Sequence, residues 1–352
     1  MKKIRVLIVD DSALVREILT QGLSRDPELE VVGTAANPYI ARDKILEADP
    51  DVITLDVEMP RMDGVEFLKR LMPQKPIPVI MVSALTKKSA RITLDALEAG
   101  AVDFVTKPSS DISRGLSIMM RELCQKIKIA AKANLDSWKF KDLQMPAKVH
   151  TINKNALAES TDKVIAIGAS TGGTEALRRI IRTFPASMPG VVVVQHMPPG
   201  FTKHFADGLN KICEMEVLEA KSNDRVMPGR VLIAPGGLQM SVRRSGGVYL
   251  TDCSPGANVN GHCPSVDVLF CSIARYVGAN AIGVVLTGMG HDGANGLLEM
   301  RRAGARTLAQ DENTSVVFGM PKSAYECGGT NTLVPLENIS QSIIHLLQEK
   351  KL

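Results

Sequence analysis

Strand-length runs of apolar residues recur along this chain, and most are followed by a polar or glycine-rich step and then a helix-length stretch. In the first 125 residues such runs fall at Ile4–Val9, Val31–Thr34, Val52–Leu55, Val79–Val82 and Val102–Val105. Helical stretches separate them near 12–24, 38–48, 64–72, 86–98 and 112–132. Apolar runs without alternation belong to strands buried on both faces, as in a parallel sheet covered by helices on each side. Five such strands in one unit suit the flavodoxin-like order 2-1-3-4-5. The expected fold class is α/β, opening with a five-stranded parallel sheet.

The pattern lapses over 126–162, a polar stretch rich in Lys and Ala that holds the single tryptophan, Trp138, and Pro146. This reads as a linker that starts helical. From Val164 the alternation resumes. Strands are expected at Val164–Ile167, Val191–Val194, Val231–Ala234 and Ala281–Leu286, with helices near 174–183, 265–277, 293–303 and 337–350. Met240–Arg243 and Val248–Thr251 flank Arg244-Ser245-Gly246-Gly247, which predicts an antiparallel hairpin. The 352 residues thus divide into a domain at 1–125, a linker at 126–162 and a second, doubly wound α/β domain with a β-hairpin at 163–352.

Charge excludes one class of function. The chain carries 42 basic and 38 acidic residues, a net +4 with no concentrated basic segment, so nucleic acid is not an expected partner. The six cysteines are scattered and form no CxxC pair. Met1-Lys2-Lys3 runs straight into an apolar strand, and no apolar run nears the ~20 residues that span a bilayer. The expectation is a cytoplasmic protein without membrane insertion.

Ligands of open parallel sheets gather outside the carboxyl ends of the strands. In the first half those ends carry Asp10 and Asp11, Asp56, Ser83, and Lys107. Three converging carboxylates repel one another unless a cation sits among them, and a hard, oxygen-seeking ion such as Mg²⁺ fits best. A carboxylate beside such an ion is a candidate phosphoryl acceptor. Asp56, on the central strand, is the expected acceptor, with Lys107 neutralising phosphate charge and Ser83 hydrogen-bonding a phosphoryl oxygen.

In the second half, Gly168-Ala169-Ser170-Thr171-Gly172 follows a strand and precedes a helix. That is the nucleophile-elbow pattern, in which glycines permit a sharp turn that projects the serine hydroxyl. A serine nucleophile needs a base. Of the six histidines, His150 falls in the linker, His345 in the last helix, His204 in a helix, and His262 in a loop beside Cys263. His196 ends the strand before it, on the same edge as Ser170, and His291 is its main rival. Asp292 follows the strand Ala281–Leu286 and reaches the same edge. The expected chain of proton transfer is Ser170, His196, Asp292, with backbone N–H groups at Thr171 and Met289 holding an oxyanion. No cofactor is expected at this second site.

VLIVDDSALVR, DVITLDVEMPRMDG, PVIMVSA and GAVDFVTKP resemble the response-regulator receiver family over residues 3–125. The resemblance implies phosphorylation of Asp56 by a chemotaxis histidine kinase. It implies Mg²⁺ held by Asp10, Asp11, Asp56 and the backbone carbonyl of Glu58, and Phe104 as a reporter of the phosphorylated state. GASTGGTEAL, QHMPPGFT, IAPGG, PSVDVLF, LTGMGHDGANG and VFGMP resemble the chemotaxis protein-glutamate methylesterase (CheB) family over residues 163–349. That implies hydrolysis of γ-glutamyl methyl esters on methyl-accepting chemoreceptors, deamidation of receptor glutamines, and residence at receptor arrays. It implies the same three catalytic residues. The family has a basic residue before PSVD where this chain has Cys263.

Overall fold

A computed structural model describes residues 2–60, 62–84, 86–108, 112–135 and 162–349. The chain forms two compact units, Met1–Met145 and Pro146–Leu352. Trp138, Pro146, His150 and most of the expected linker lie outside the described residues.

In the first unit, β1 (Ile4–Val9), β2 (Leu29–Ala35), β3 (Val52–Asp56), β4 (Val79–Ala84) and β5 (Asp103–Lys107) form a parallel sheet ordered β2-β1-β3-β4-β5. Every residue of the central strand β3 is buried. Between the strands run α1 (Ala13–Leu23), α2 (Pro38–Ala48), α3 (Gly64–Gln74) and α4 (Lys87–Ala99), and α5 (Ile112–Ala130) closes the unit. Side-chain caps start four of these helices. Ser12, Asn37, Asp63 and Thr86 each accept a backbone N–H from the first turn, each cap contributing about 1 kcal/mol. The boundary expected at residue 125 falls inside α5, whose apolar face carries the buried Met119, Leu123, Ile127 and Ala130.

The second unit is built on a seven-stranded, all-parallel sheet. Its strands are β6 (Val164–Ala169), β7 (Gly190–Gln195), β8 (Glu216–Glu219), β10 (Arg230–Ile233), β13 (Ala281–Val285), β14 (Arg306–Gln310) and β15 (Leu333–Val334). Their order is β15-β14-β13-β6-β7-β10-β8. The chain passes from β6 to β7 on one side and later returns to lay β13 on the other side of β6. The strand order therefore reverses at β6/β13, where a doubly wound sheet opens its ligand crevice. Helices α6 (Gly173–Ile181), α7 (Phe201–Asn210), α8 (Val266–Tyr276), α9 (Ala294–Arg302), α10 (Met320–Glu326) and α11 (Leu336–Gln348) connect and cover the strands.

The expected hairpin is larger than its sequence signal. β11 (Gln239–Ser245) and β12 (Val248–Ser254) pair around Gly246-Gly247, and β9 (Arg225–Val226) joins them in a three-stranded antiparallel sheet. Its inner face, with Met240, Val242 and Tyr249, shares one core with Val266, Leu269, Phe270 and Ile273 of α8. Phe270 is fully buried, a side chain whose removal from water contributes about 3 kcal/mol. This packing holds the N-terminus of α8 over the end of β6. Gly168 makes the approach possible, because a Cβ there would lie 2.2 Å from Val266 Cγ1. No helix among the described residues is long and apolar enough to cross a membrane.

Candidate active site

Strand register brings the first two site residues together. In the β6/β7 ladder Ala169 stands opposite Gln195, so Ser170 and His196 leave neighbouring strands side by side. The His196 N–H donates to Ala169 O at 3.2 Å, and the Ser170 N–H donates to Thr287 O beyond β13 at 3.0 Å. Gln195 Nε2 donates to Ser170 O at 2.9 Å, tying the turn to β7. A Cβ at Gly288 would lie 2.7 Å from Ser170 Cβ, so only glycine admits the serine this close to the β13 end.

The third residue arrives from the loop after β13. Asp292 Oδ2 lies 2.8 Å from His196 Nε2, and both side chains are buried. Four further donors converge on this carboxylate. Oδ2 also accepts the Val266 N–H at 2.7 Å, while Oδ1 accepts Asn260 Nδ2 at 2.8 Å, Ser265 Oγ at 2.8 Å and the Asp267 N–H at 3.2 Å. Ser265, Val266 and Asp267 begin α8, so Asp292 caps that helix and sits at its positive end. Asp267 in turn accepts the Gly296 N–H of α9 at 2.6 Å, so a carboxylate of α8 caps α9 while Asp292, just before α9, caps α8. Burial works to raise the Asp292 pKa, but the hydrogen bonds from His196, Asn260 and Ser265 outweigh it and hold the group well below the usual carboxylate range.

An ionised Asp292 accepts from Nε2, so the neutral imidazole carries its proton there and leaves Nδ1 as the basic nitrogen. Nδ1 is buried and has no hydrogen-bond partner among the described residues. Strand register sets Ser170 and His196 side by side, and no hydrogen bond joins Nδ1 to the serine. His291, the rival base, is exposed, whereas Asp292 beside it is buried. Thr171 is buried, and its carbonyl accepts Thr287 Oγ1 at 3.0 Å. Met289 is partly exposed, and its backbone N–H donates to nothing among the described residues.

Sequence reasoning gave no role to Gln195, Asn260 or Ser265, and set His262 aside as a loop residue. Asn260-Gly261 was the available signal, since that dipeptide marks two-residue hairpin turns. His262 lies with its ring stacked on that of His196, centroids 3.6 Å apart and planes within 10°.

The first unit has its own cluster at the carboxyl edge of its sheet. Ligand atoms of Asp10, Asp11 and Asp56 all lie within 4.8 Å of one another. Lys107 Nζ reaches Asp10 Oδ2 at 2.9 Å and Asp56 Oδ1 at 3.1 Å. Burial, with a contribution from neighbouring Asp10, pushes the Asp56 pKa up to about 6 although Lys107 opposes it. One ammonium therefore leaves this carboxylate charge undercompensated, and the all-oxygen donor set fits a hard divalent cation. Ser83 is fully buried at the end of β4, and its Oγ accepts Thr93 Oγ1 of α4 at 2.7 Å. Glu58 Oε1 accepts Ser89 Oγ of α4 at 3.0 Å. Phe104 is buried in β5, with Lys126 Nζ 5.4 Å from its ring centroid.

Comparison with known proteins gives these two edges relatives. Residues 165–343 match the CheB methylesterase family, and residues 6–115 match the response regulator receiver domain. A protein-glutamate methylesterase/protein-glutamine glutaminase of Syntrophotalea carbinolica is 65% identical over 351 residues, covering 100% of this chain and 99% of the relative. One of that name from Escherichia coli is 52% identical over 98% of this chain and 97% of the relative. The crystal structure of the Thermotoga maritima CheB methylesterase catalytic domain matches with a TM-score of 0.51 and 39% identity, covering 52% of this chain and 98% of that domain.

Proposed function

The chain belongs to the CheB methylesterase family, and from that membership we propose how its own residues carry out and control the family's reaction. It is a phosphorylation-controlled hydrolase of chemotaxis adaptation, a protein-glutamate methylesterase and protein-glutamine glutaminase. In our reading Ser170 Oγ attacks the γ-carbonyl carbon of a receptor glutamyl methyl ester while His196 Nδ1 takes the hydroxyl proton. Asp292 holds Nε2–H and stabilises the imidazolium that forms. The oxyanion is received by the N–H groups of Thr171 and Met289, at the start of α6 and beyond β13. Collapse expels methanol, which carries away the proton from His196. Water then attacks the acyl-enzyme with His196 again as base, freeing the glutamate and restoring Ser170. With glutamine as substrate the same steps release ammonia.

Residues 1–125 act as the receiver, 126–162 as the linker and 163–352 as the catalytic domain. Asp56 accepts the phosphoryl group from a chemotaxis histidine kinase. Asp10, Asp11, Asp56 and the Glu58 carbonyl would hold Mg²⁺, which when bound supplies the positive charge that phosphoryl transfer requires. Lys107 and Ser83 meet the phosphoryl oxygens, and Phe104 responds to the modified state. The protein works in the cytoplasm at chemoreceptor arrays.

The observation that carries this reading is the 2.8 Å bond between Asp292 and His196 at the point where register sets His196 beside Ser170. Methanol release from methylated receptor membranes tests it. Ser170→Ala is expected to lose at least about a thousandfold in rate, as removal of a triad nucleophile does. Asp56→Ala should keep its basal rate and lose stimulation by phosphodonor. Equal rates for wild type and Ser170→Ala overturn the mechanism.

A further inference from the structure

An imidazole fixed by a single hydrogen bond remains free to swing about that bond. His196 is in this position, with Nε2 held by Asp292 and Nδ1 without a hydrogen bond. The ring of His262 lies stacked face to face on it, at 3.6 Å and 10°.

His262 is itself rigidly mounted. Val259 and His262 exchange both backbone hydrogen bonds, at 3.0 and 2.9 Å, around Asn260 and Gly261. Those two residues have φ of 52° and 85°, the paired positive values of a two-residue hairpin turn. Gln239 Nε2 from β11 donates to Ala257 O at 3.0 Å and to His262 O at 3.1 Å, and its Oε1 accepts the Ser265 N–H at 2.8 Å. The loop is thereby bound to the three-stranded sheet on one side and to α8 on the other. The same turn acts on the carboxylate, since Asn260 Nδ2 bridges Asp292 Oδ1 and Asp267 Oδ2, at 2.8 and 2.7 Å.

We propose that the Val259–His262 turn is a clamp on the His196–Asp292 pair, with His262 a positioning residue that acts through His196 and Asn260 one that acts through Asp292. A flat aromatic ring on the face of His196 keeps Nδ1 aimed at the Ser170 side. When His196 becomes an imidazolium during acyl transfer, the stacked ring of His262 also offers the cation a π face. The inference rests on the assignment of Ser170, His196 and Asp292 above.

Steady-state methanol release from methylated receptor membranes by the full-length protein tests the clamp. His262→Leu fills the volume without a flat ring and is expected to lower kcat by about a hundredfold with KM changed less than about twofold, the signature of a misaligned base. His262→Phe restores the ring and is expected to recover to within about threefold of wild type. Imidazole ¹⁵N resonances of His196 give a second reading, independent of turnover. The Nε2–H tautomer set by Asp292 is expected in all three proteins, with a sharp Nδ1 resonance in wild type and His262→Phe and an exchange-broadened one in His262→Leu, whose ring swings about the Nε2 bond. Equal losses in the Leu and Phe variants, a loss confined to KM, or an equally sharp Nδ1 resonance in the Leu variant would each overturn the clamp. Full activity in Ser170→Ala would instead overturn the assignment on which it rests.

Discussion

Asp56 and Asp292 are both buried carboxylates at the carboxyl edge of a parallel sheet, and their surroundings drive them in opposite directions. Asp56 meets one ammonium and the Val57 N–H, and its pKa rises to about 6. Asp292 meets five donors from the base, an amide, a hydroxyl and two backbone N–H groups of a helix end, and its pKa falls. The difference matches the roles proposed for the two groups. A carboxylate that attacks phosphorus needs lone pairs not already committed to donors. One that orients a histidine needs a fixed direction and a permanent charge, which full coordination supplies. Burial is common to both sites, so donor count and not depth separates nucleophile from anchor.

The largest expected effect breaks the anchor. Asp292→Asn keeps the shape but presents an amide to His196 and favours the wrong tautomer, and a loss of about ten-thousandfold in esterase kcat is expected from the equivalent change in other triads. Methanol release measures it. Phosphoryl uptake by Asp56 from a small-molecule phosphodonor should be unaltered in the same protein, since that chemistry uses none of the Asp292 contacts. A modest loss of esterase activity would mean that Asp292 is only a helix cap.

The next effect exposes the cost of the undercoordinated site. An Asp whose pKa rises from 3.8 unfolded to about 6 folded binds a proton more tightly in the fold. Its stabilising contribution is complete below pH 3.8 and is lost as pH rises through 6, amounting to about 3 kcal/mol for a shift of this size. Native-state hydrogen exchange at the β3 amides should therefore slow between pH 7 and pH 5 beyond the intrinsic chemical change. Asp56→Asn should flatten that slope and be the more protected protein at pH 7. For Asp292, with its pKa lowered, the sign reverses: its contribution is present above 3.8 and disappears only as pH falls through the lower folded value. A parallel pH slope at β6 and at β3 would contradict the contrast.

The sequence displayed the two sites unequally. Strands such as β1, β3, β6 and β7 are continuous apolar runs, and apart from Gln195 the chemical residues at strand ends were visible because a parallel sheet gathers its ligands there. That covers Asp10, Asp11, Asp56, Ser83 and Lys107 in one unit and Ser170 and His196 in the other. β8, β14 and the two-residue β9 and β15 escaped notice because they are short or mixed in polarity and pair only once the central strands exist. The surroundings of Asp292 were hidden for a different reason. Asn260, His262 and Ser265 do not end strands, and they reach the site because α8 lies over β6, an approach that depends on the missing Cβ of Gly168 opposite Val266. No local pattern encodes that proximity. The same holds for Thr93 behind Ser83, whose hydroxyls meet across α4 and β4.

Ser265→Ala offers the finest test of donor count, because it removes one of the five contacts and leaves the shape nearly intact. The hydroxyl is fully buried, so water does not replace it, and a hydrogen bond to a charged acceptor in such a place is worth about 2 kcal/mol. Urea unfolding of the full-length protein should show a loss of that size in the transition that reports on the catalytic unit at pH 7. The effect on kcat should be smaller than about tenfold, because Nε2 keeps its partner and Asn260 still fixes Oδ1. The four remaining donors still outnumber those on Asp56, so Asp292 should stay ionised at neutral pH and the His196 tautomer should be preserved. If instead the variant is as stable as wild type, the Ser265 hydroxyl contributes nothing to holding the carboxylate, and the contrast with Asp56 must be sought in the helix end and not in donor count.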